Sequence, residues 1–221
     1  MHALIVMSHP IANSLTHRIA ALIAQGVSTS QPDNTYEIAD LAAEGFDPRF
    51  NATDVDAHNR VAAISAEVGR EQARIDRADA LVLVYPVYWW SMPGLLKGWI
   101  DRVFANGWAY GEGADGKIEK KLGHVRVHLV AIGGADMRTY ARHGYFGAMK
   151  LQIDHGIFDY CGAQVVTSEL LHAQTQDLTD QLATASRIGE RIFARSGVRK
   201  LKSADDLIDR QDITEEKQPI L

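Results

Sequence analysis

The sequence predicts an open α/β fold, a parallel sheet doubly wound with helices on both faces, and three observations lead there. Short apolar runs rich in Val, Ile and Leu recur along the chain, as parallel strands covered on both faces require. Segments with apolar residues at helical spacing lie between those runs, and right-handed crossovers turn such an alternation into a doubly wound sheet. The length of 221 residues, 46% of them hydrophobic, suits one domain with a full core.

The elements follow in order. Ala3–Met7 is the first strand, and Leu15, Ile19, Leu22 and Ile23 mark a helix starting near Leu15. Tyr36–Ala39 is a weaker second strand, followed by Val61, Ile64, Val68 and Ile75 at looser helical spacing. Ala80–Tyr85 is the third strand, and the helix behind it carries a dense stripe of Leu95, Leu96, Trp99, Ile100 and Val103. Val125–Ile132 and Gln164–Leu170 complete the strands, and Leu178, Leu182, Ile188 and Ile192 mark the last helix. Five strands of this kind predict the order 2-1-3-4-5, with ligands beyond the strand carboxyl ends where strands 1 and 3 diverge. The loops after Met7, Tyr85 and Ile132 should therefore build the site. The domain is expected over residues 1–197. Beyond it, 198–221 form a charged C-terminal extension, basic at Arg199, Lys200 and Lys202 and then acidic from Asp205 to Glu216. Leu201, Leu207, Ile208 and Ile213 give that extension enough apolar surface for a partly ordered arm, a mobile tail being the alternative.

Several function classes lose their footing. A net charge of −5 leaves no concentrated basic face for nucleic acid. The longest apolar run, Ala80 to Trp90, falls far short of the roughly 20 residues that span a bilayer, and the chain enters its first strand without a targeting segment. No membrane insertion and a cytoplasmic setting are expected. Cys161 has no partner for an internal disulfide, and its flanks (Phe158, Tyr160, Val165) suit a buried structural thiol. Gly111-Glu112-Gly113-Ala114-Asp115-Gly116 matches G-x-G-x-x-G literally. It follows no expected strand, opens no apolar helix and carries two acids where a pyrophosphate would sit, so it reads as a flexible loop. His124 and His128 share strand spacing but have no carboxylate or thiolate to complete a metal site, and no metal is expected. No nucleophile elbow is present.

The three loops carry polar and aromatic groups of a consistent kind. Ser8-His9-Pro10 leads through Asn13 and Ser14 into Leu15 and Thr16, so hydroxyl and imidazole groups gather at a helix amino terminus. Free N–H groups and the positive dipole end make such a place an anion site, although Asn13 or Ser14 would serve equally as an ordinary N-cap. In the second loop, Pro86, Val87, Tyr88, Trp89 and Trp90 place three aromatics side by side before Pro93. A loop seldom buries three such rings, and flat side chains beside rigid backbone suit a flavin isoalloxazine, with core packing the plainer alternative. In the third, Ala131, Ile132, Gly133 and Gly134 let backbone approach a flat ligand, with Tyr140 and His143 as nearby polar groups; a plain turn is the other reading.

These residues resemble a known family. Tyr85-Pro86-x-x-Trp89 through Pro93, then Leu96-Lys97-Gly98-Trp99-x-Asp101-Arg102-Val103-Phe104 and Ala109-Tyr110, look like the NAD(P)H:quinone oxidoreductases of the DT-diaphorase type, which include bacterial modulators of drug activity and ancillary subunits of potassium-efflux systems. The His9…Ser14 loop, Gly133-Gly134 and Gly156-Ile157…Cys161-Gly162 match in register, so the resemblance covers roughly residues 3 to 195.

The resemblance implies a flavodoxin-like fold and a homodimer with one flavin per subunit, FAD or alternatively FMN. His9, Ser14, Leu15 and Thr16 fall where the family holds the flavin phosphate and ribityl chain. Pro86, Val87, Tyr88, Trp89 and Trp90 match one wall of the isoalloxazine site, and Ala131, Ile132, Gly133 and Gly134 the opposite loop. Trp89 and Trp90 would face the substrate, and Tyr110 falls where a partner subunit closes the pocket. The family places a Tyr and then a His after the double glycine; here Tyr140 comes one residue later than in the mammalian pattern and His143 follows it sooner. Both stand as candidate catalytic residues. The implied reaction is two-electron hydride transfer from NAD(P)H through the flavin to a quinone or similar flat acceptor, with ping-pong kinetics. A flavin-bearing regulatory subunit of a transporter and a flavodoxin-type one-electron carrier are the competing readings.

Overall fold

The computed structural model describes residues 1–172 and 178–194. The expected C-terminal extension at 198–221 lies outside the described residues. The main sheet has five parallel strands: β1 (His2–Met7), β2 (Thr35–Asp40), β3 (Ala80–Pro86), β6 (Arg126–Gly133) and β7 (Gln164–His172). They lie in the order β2-β1-β3-β6-β7. A small antiparallel hairpin of β4 (Tyr110–Glu112) and β5 (Ile118–Lys120) interrupts the chain between β3 and β6, so this is the predicted doubly wound order with two strands inserted.

Alternation along β1, β3 and β6 sorts the core into two layers, because successive side chains leave opposite faces of a sheet. Leu4, Val6, Leu81, Leu83, Leu129 and Ala131 face α4 (Gly94–Val103) and its neighbours, with Trp99, Phe104 and Phe158. Ala3, Ile5, Val82, Val84 and Val130 face α1 (Leu15–Ser30) and α7 (Leu178–Arg191). Helices α1 and α7 meet through glycine. A Cβ added to Gly26 would stand 2.6 Å from the Ser186 carbonyl oxygen, and one added to Gly189 would fall on the backbone of Ile23.

Three expectations from the sequence change. Val61 and Ile64 do not share a helix with Val68 and Ile75: the segment holds α2 (Ala52–His58) and α3 (Ala66–Asp76), with Val61 exposed between them. The boundaries are set by caps. Asn51 and Asp54 form a reciprocal capping box, and the Ser65 hydroxyl accepts from the Val68 N–H. Gly111 to Gly116, expected as a flexible loop, belongs to the β4–β5 hairpin, where Gly113 N–H donates to the Lys117 carbonyl and Gly116 takes φ +74°. The histidine pair separates too: His124 lies exposed ahead of β6, while His128 on β6 is buried.

The block that carried the family resemblance anchors α4. Gly98 packs on Pro48, with no room for a Cβ. The Trp99 indole donates to Glu71 at 2.9 Å. Buried Arg102 donates to Asp54 at 2.9 Å, to Glu67 at 2.6 Å and to the Asp47 carbonyl at 2.6 Å. Helices α5 (Met137–His143) and α6 (Tyr145–Met149), followed by a π-helical stretch (Lys150–Asp159), lead from β6 to β7.

Candidate functional site

The carboxyl ends of β1, β3 and β6 lie together and their loops are tied to one another. The Ser8 N–H donates to the Val84 carbonyl at 3.3 Å and the Val87 N–H to the Ile132 carbonyl at 2.9 Å. Parallel register puts Met7 beside Val84 and Pro86 beside Ile132, so the first, second and third loops leave the sheet on one edge.

The first loop turns at Asn13, whose φ of +62° Asn tolerates better than most residues, and α1 begins at Leu15. Ser14 occupies the N-cap position but makes no side-chain capping bond. Its hydroxyl lies 2.8 Å from His17 Nδ1, and His17 Nε2 lies 3.0 Å from Asp40 Oδ2. Asp40, the last residue of β2, is fixed by backbone N–H groups of Ala42 and Ala43 on its other oxygen. His9 accepts from the Ile11 N–H and stands edge-on to His17 at 6.3 Å. Thr16 is buried and Leu15 half-buried. The α1 amino terminus thus keeps its N–H groups free of a side-chain cap, with Ser14 and His9 beside it.

The second loop is a two-residue hairpin. Tyr88 and Ser91 exchange both backbone hydrogen bonds, at 3.0 and 3.1 Å, and Trp89 and Trp90 between them have φ of +50° and +61°. Such turns ordinarily take Asn-Gly, because a side chain in the left-handed region is strained. Two tryptophans held there point to a demand for their rings. Trp89 is 93% exposed. Trp90 is stacked on Tyr145, ring centroids 3.7 Å apart and 14° from parallel, and Tyr140 meets it edge-on at 5.3 Å.

The third loop supplies the facing wall. Gly133 has a use other than approach to a ligand: a Cβ there would stand 2.7 Å from the Tyr140 hydroxyl, so the missing side chain makes room for that ring. Gly134 is open, with no atom near where a Cβ would lie. Ala131 and Ile132 are buried in the sheet. Val87, Trp89, Trp90, Gly134, Ala135 and Tyr140 enclose a cleft of about 190 Å³. Burial raises the Tyr140 hydroxyl above its ordinary value, so at neutral pH it keeps its proton and is a neutral donor. His143, at the exposed end of α5, stacks on Tyr145 at 5.2 Å and so reaches the cleft indirectly.

Most of the predicted residues therefore share this edge, and Tyr110 does not. It packs against His58 and Tyr160 and lines a separate hollow of about 340 Å³ with Phe104, Ile157 and Cys161. The Cys161 thiol is pushed up to about 11 by burial, which makes it a poor nucleophile. Sequence reading missed His17, Asp40 and Tyr145. Asp40 had one signal, its place at the carboxyl end of the strand beside β1; Tyr145 had another, a ring just past Gly144, whose left-handed φ of +69° closes α5.

The fold and this edge have known counterparts. A family model described as a flavodoxin-like fold matches residues 1–192. An uncharacterized NAD(P)H oxidoreductase of Escherichia coli, YcaK, is 32% identical over 197 residues, covering 80% of this chain and 96% of that protein. A ribosyldihydronicotinamide dehydrogenase [quinone] of Mus musculus is 26% identical over 189 residues, covering 76% of this chain and 79% of its own length. Among solved structures, an NAD(P)H:quinone oxidoreductase from Methanothermobacter marburgensis superposes with a TM-score of 0.78 at 25% identity, covering 86% of this chain and 98% of that one.

Proposed function

The chain belongs to the flavodoxin-like fold family, and from that premise we propose that it is a flavin-dependent NAD(P)H:quinone oxidoreductase. The observation that carries the reading is the joining, on one sheet edge, of an uncapped helix amino terminus to a cleft walled by Trp89, Trp90 and Tyr140. A flavin phosphate ester needs the first and an isoalloxazine needs the second. The donor set fits: free N–H groups at α1 with Ser14, Thr16 and His9 nearby, the Pro86 to Trp90 wall on one side, and the open Gly134 backbone on the other. FAD is the cofactor we assign, FMN being the alternative. NAD(P)H oxidoreductase and quinone dehydrogenase relatives support the activity class.

When bound, the flavin supplies the two-electron hydride relay between NAD(P)H and a quinone or similar flat acceptor. The protein's work is positional. Trp90, braced by Tyr145, fixes one wall, and Trp89 offers a ring on which a planar acceptor stacks. The Tyr140 hydroxyl, kept protonated by burial, donates toward negative charge, and His143 holds Tyr145 from behind. Tyr110 joins the pocket only from a second copy, so the reading includes a homodimer, set in the cytoplasm. With one cleft serving both substrates, NAD(P)H and acceptor take turns in it. Initial rates measured over a grid of both concentrations should give parallel double-reciprocal lines; lines that intersect to the left of the axis would contradict the shared cleft.

A further inference from the structure

A hollow of about 450 Å³ opens between the edge strand β7 and helix α7, lined by side chains of both and by His128 of β6. It stands apart from the flavin crevice. His128 lies well back from Gly133, where β6 ends, by roughly 16 Å of extended strand. Strand pairing shapes the hollow. Val127 pairs with Val165 and His128 with Thr167, which leaves Val166 as an extra residue on β7. Successive strand residues ordinarily leave opposite faces, yet after this bulge Val166 and Thr167 both line the hollow.

The polar groups gathered there are donors without acceptors. His128 Nδ1 lies 2.9 Å from the Thr167 hydroxyl. Nε2, the ring nitrogen farther from the backbone, is buried and has no partner among the described residues. A buried polar atom in that condition costs stability unless a ligand or water satisfies it. Burial lowers the ring's pKa to about 4, so at neutral pH it is uncharged, and with Thr167 donating to Nδ1 it presents an Nε2–H. Arg187 and Arg191 stand one helical turn apart on the same hollow. Arg187 donates to the Thr184 hydroxyl at 2.9 Å and to the Ala183 carbonyl at 3.4 Å, and neither arginine pairs with a carboxylate among the described residues. Glu169 of β7 also lines the hollow, as an acceptor.

We propose that this hollow is a second ligand site, one that takes a small phosphate monoester with a hydroxylated body: Arg187 and Arg191 hold the phosphate, His128 Nε2 donates to the ligand at the buried end, and Glu169 accepts from its hydroxyls. Guanidinium forks match phosphate oxygens in geometry and charge. Glu169 would repel a bare anion but suits the hydroxyls of an ester, and the volume exceeds what inorganic phosphate fills. The site does not depend on the flavin reading.

The test is a nuclear magnetic resonance titration of the full chain with ribose 5-phosphate, following the histidine ring nitrogens. It is made on wild type, His128→Gln and the double variant Arg187→Gln/Arg191→Gln, each shown folded by circular dichroism. The ring signals lost in His128→Gln assign His128. In wild type these signals should shift saturably while those of exposed His124 stay in place. The double variant, whose changes lie at exposed positions of α7, should bind more weakly by roughly tenfold for each arginine. His128 signals that do not move, or equal affinity in the double variant, overturn the site. So do shifts confined to His9 and His17, which place the phosphate at the flavin edge. Ribose binding as tightly as its phosphate overturns the ligand class.

Discussion

His128 shows how a single side chain senses pH through burial. It is 2% exposed, faces the α7 layer from β6, and bonds Thr167 through Nδ1, while Nε2 is buried without a partner among the described residues. Burial first, and then the Arg126 charge, lower its pKa from 6.5 to about 4. Between those values the unfolded chain binds more protons than the folded one, so stability falls as pH drops through this window and is complete above it. The shift corresponds to stability on the order of 3 kcal/mol. Denaturant midpoints measured from pH 7 down to pH 4 should fall more steeply in wild type than in His128→Leu. Equal slopes would show that other groups govern acid unfolding. Residue identity alone did not carry this. A histidine in a strand reads the same whether exposed or buried, and only the inward placement of β6 between two layers separates His128 from the exposed His124. The same limit applies to His17 and Asp40, which are 23 residues apart in sequence and meet because β2 pairs with β1.

At the scale of elements, the strands were legible because two-sided burial forces continuous apolar runs, and all five appear within a residue or two of the expected bounds. The helix expected from Val61 to Ile75 was not. Its apolar spacing continues by chance across Val61 and Ile64, while the capping residues Asn51, Asp54 and Ser65 decide where backbone N–H groups are satisfied. The second loop could be read as aromatic but not as a strained hairpin, since nothing in Trp89-Trp90 announces a left-handed turn. The α1–α7 contact was also hidden, because Gly26 and Gly189 look like weak points in helices. In the fold they are the reason the helices touch. Gly189→Ala should destabilise the protein by roughly 1–3 kcal/mol through overpacking, despite the better helix propensity of alanine. A melt in which Gly189→Ala is as stable as wild type would mean that α7 can move outward without loss.

For the whole molecule, the division of labour along the chain is sharper than motif matching suggested. The longest block resembling quinone oxidoreductases, Leu96 to Phe104, is a structural latch that holds α4 against α2 and α3 through Trp99 and Arg102. The groups we assign to chemistry sit instead in three short loops at the carboxyl edge of the sheet, where the strand order leaves a crevice. Tyr110 lies away from that crevice in its own chain, lining a separate hollow, so its assignment to the pocket stands only with the proposed second copy. The central claim is that the crevice holds a flavin. The most direct measurement is the visible absorption spectrum of the purified protein after incubation with FAD and with FMN and removal of the unbound flavin. The account predicts a retained yellow chromophore at about one flavin per chain, bleached by anaerobic NADH or NADPH and restored by a quinone. A protein that stays colourless with both flavins would contradict it.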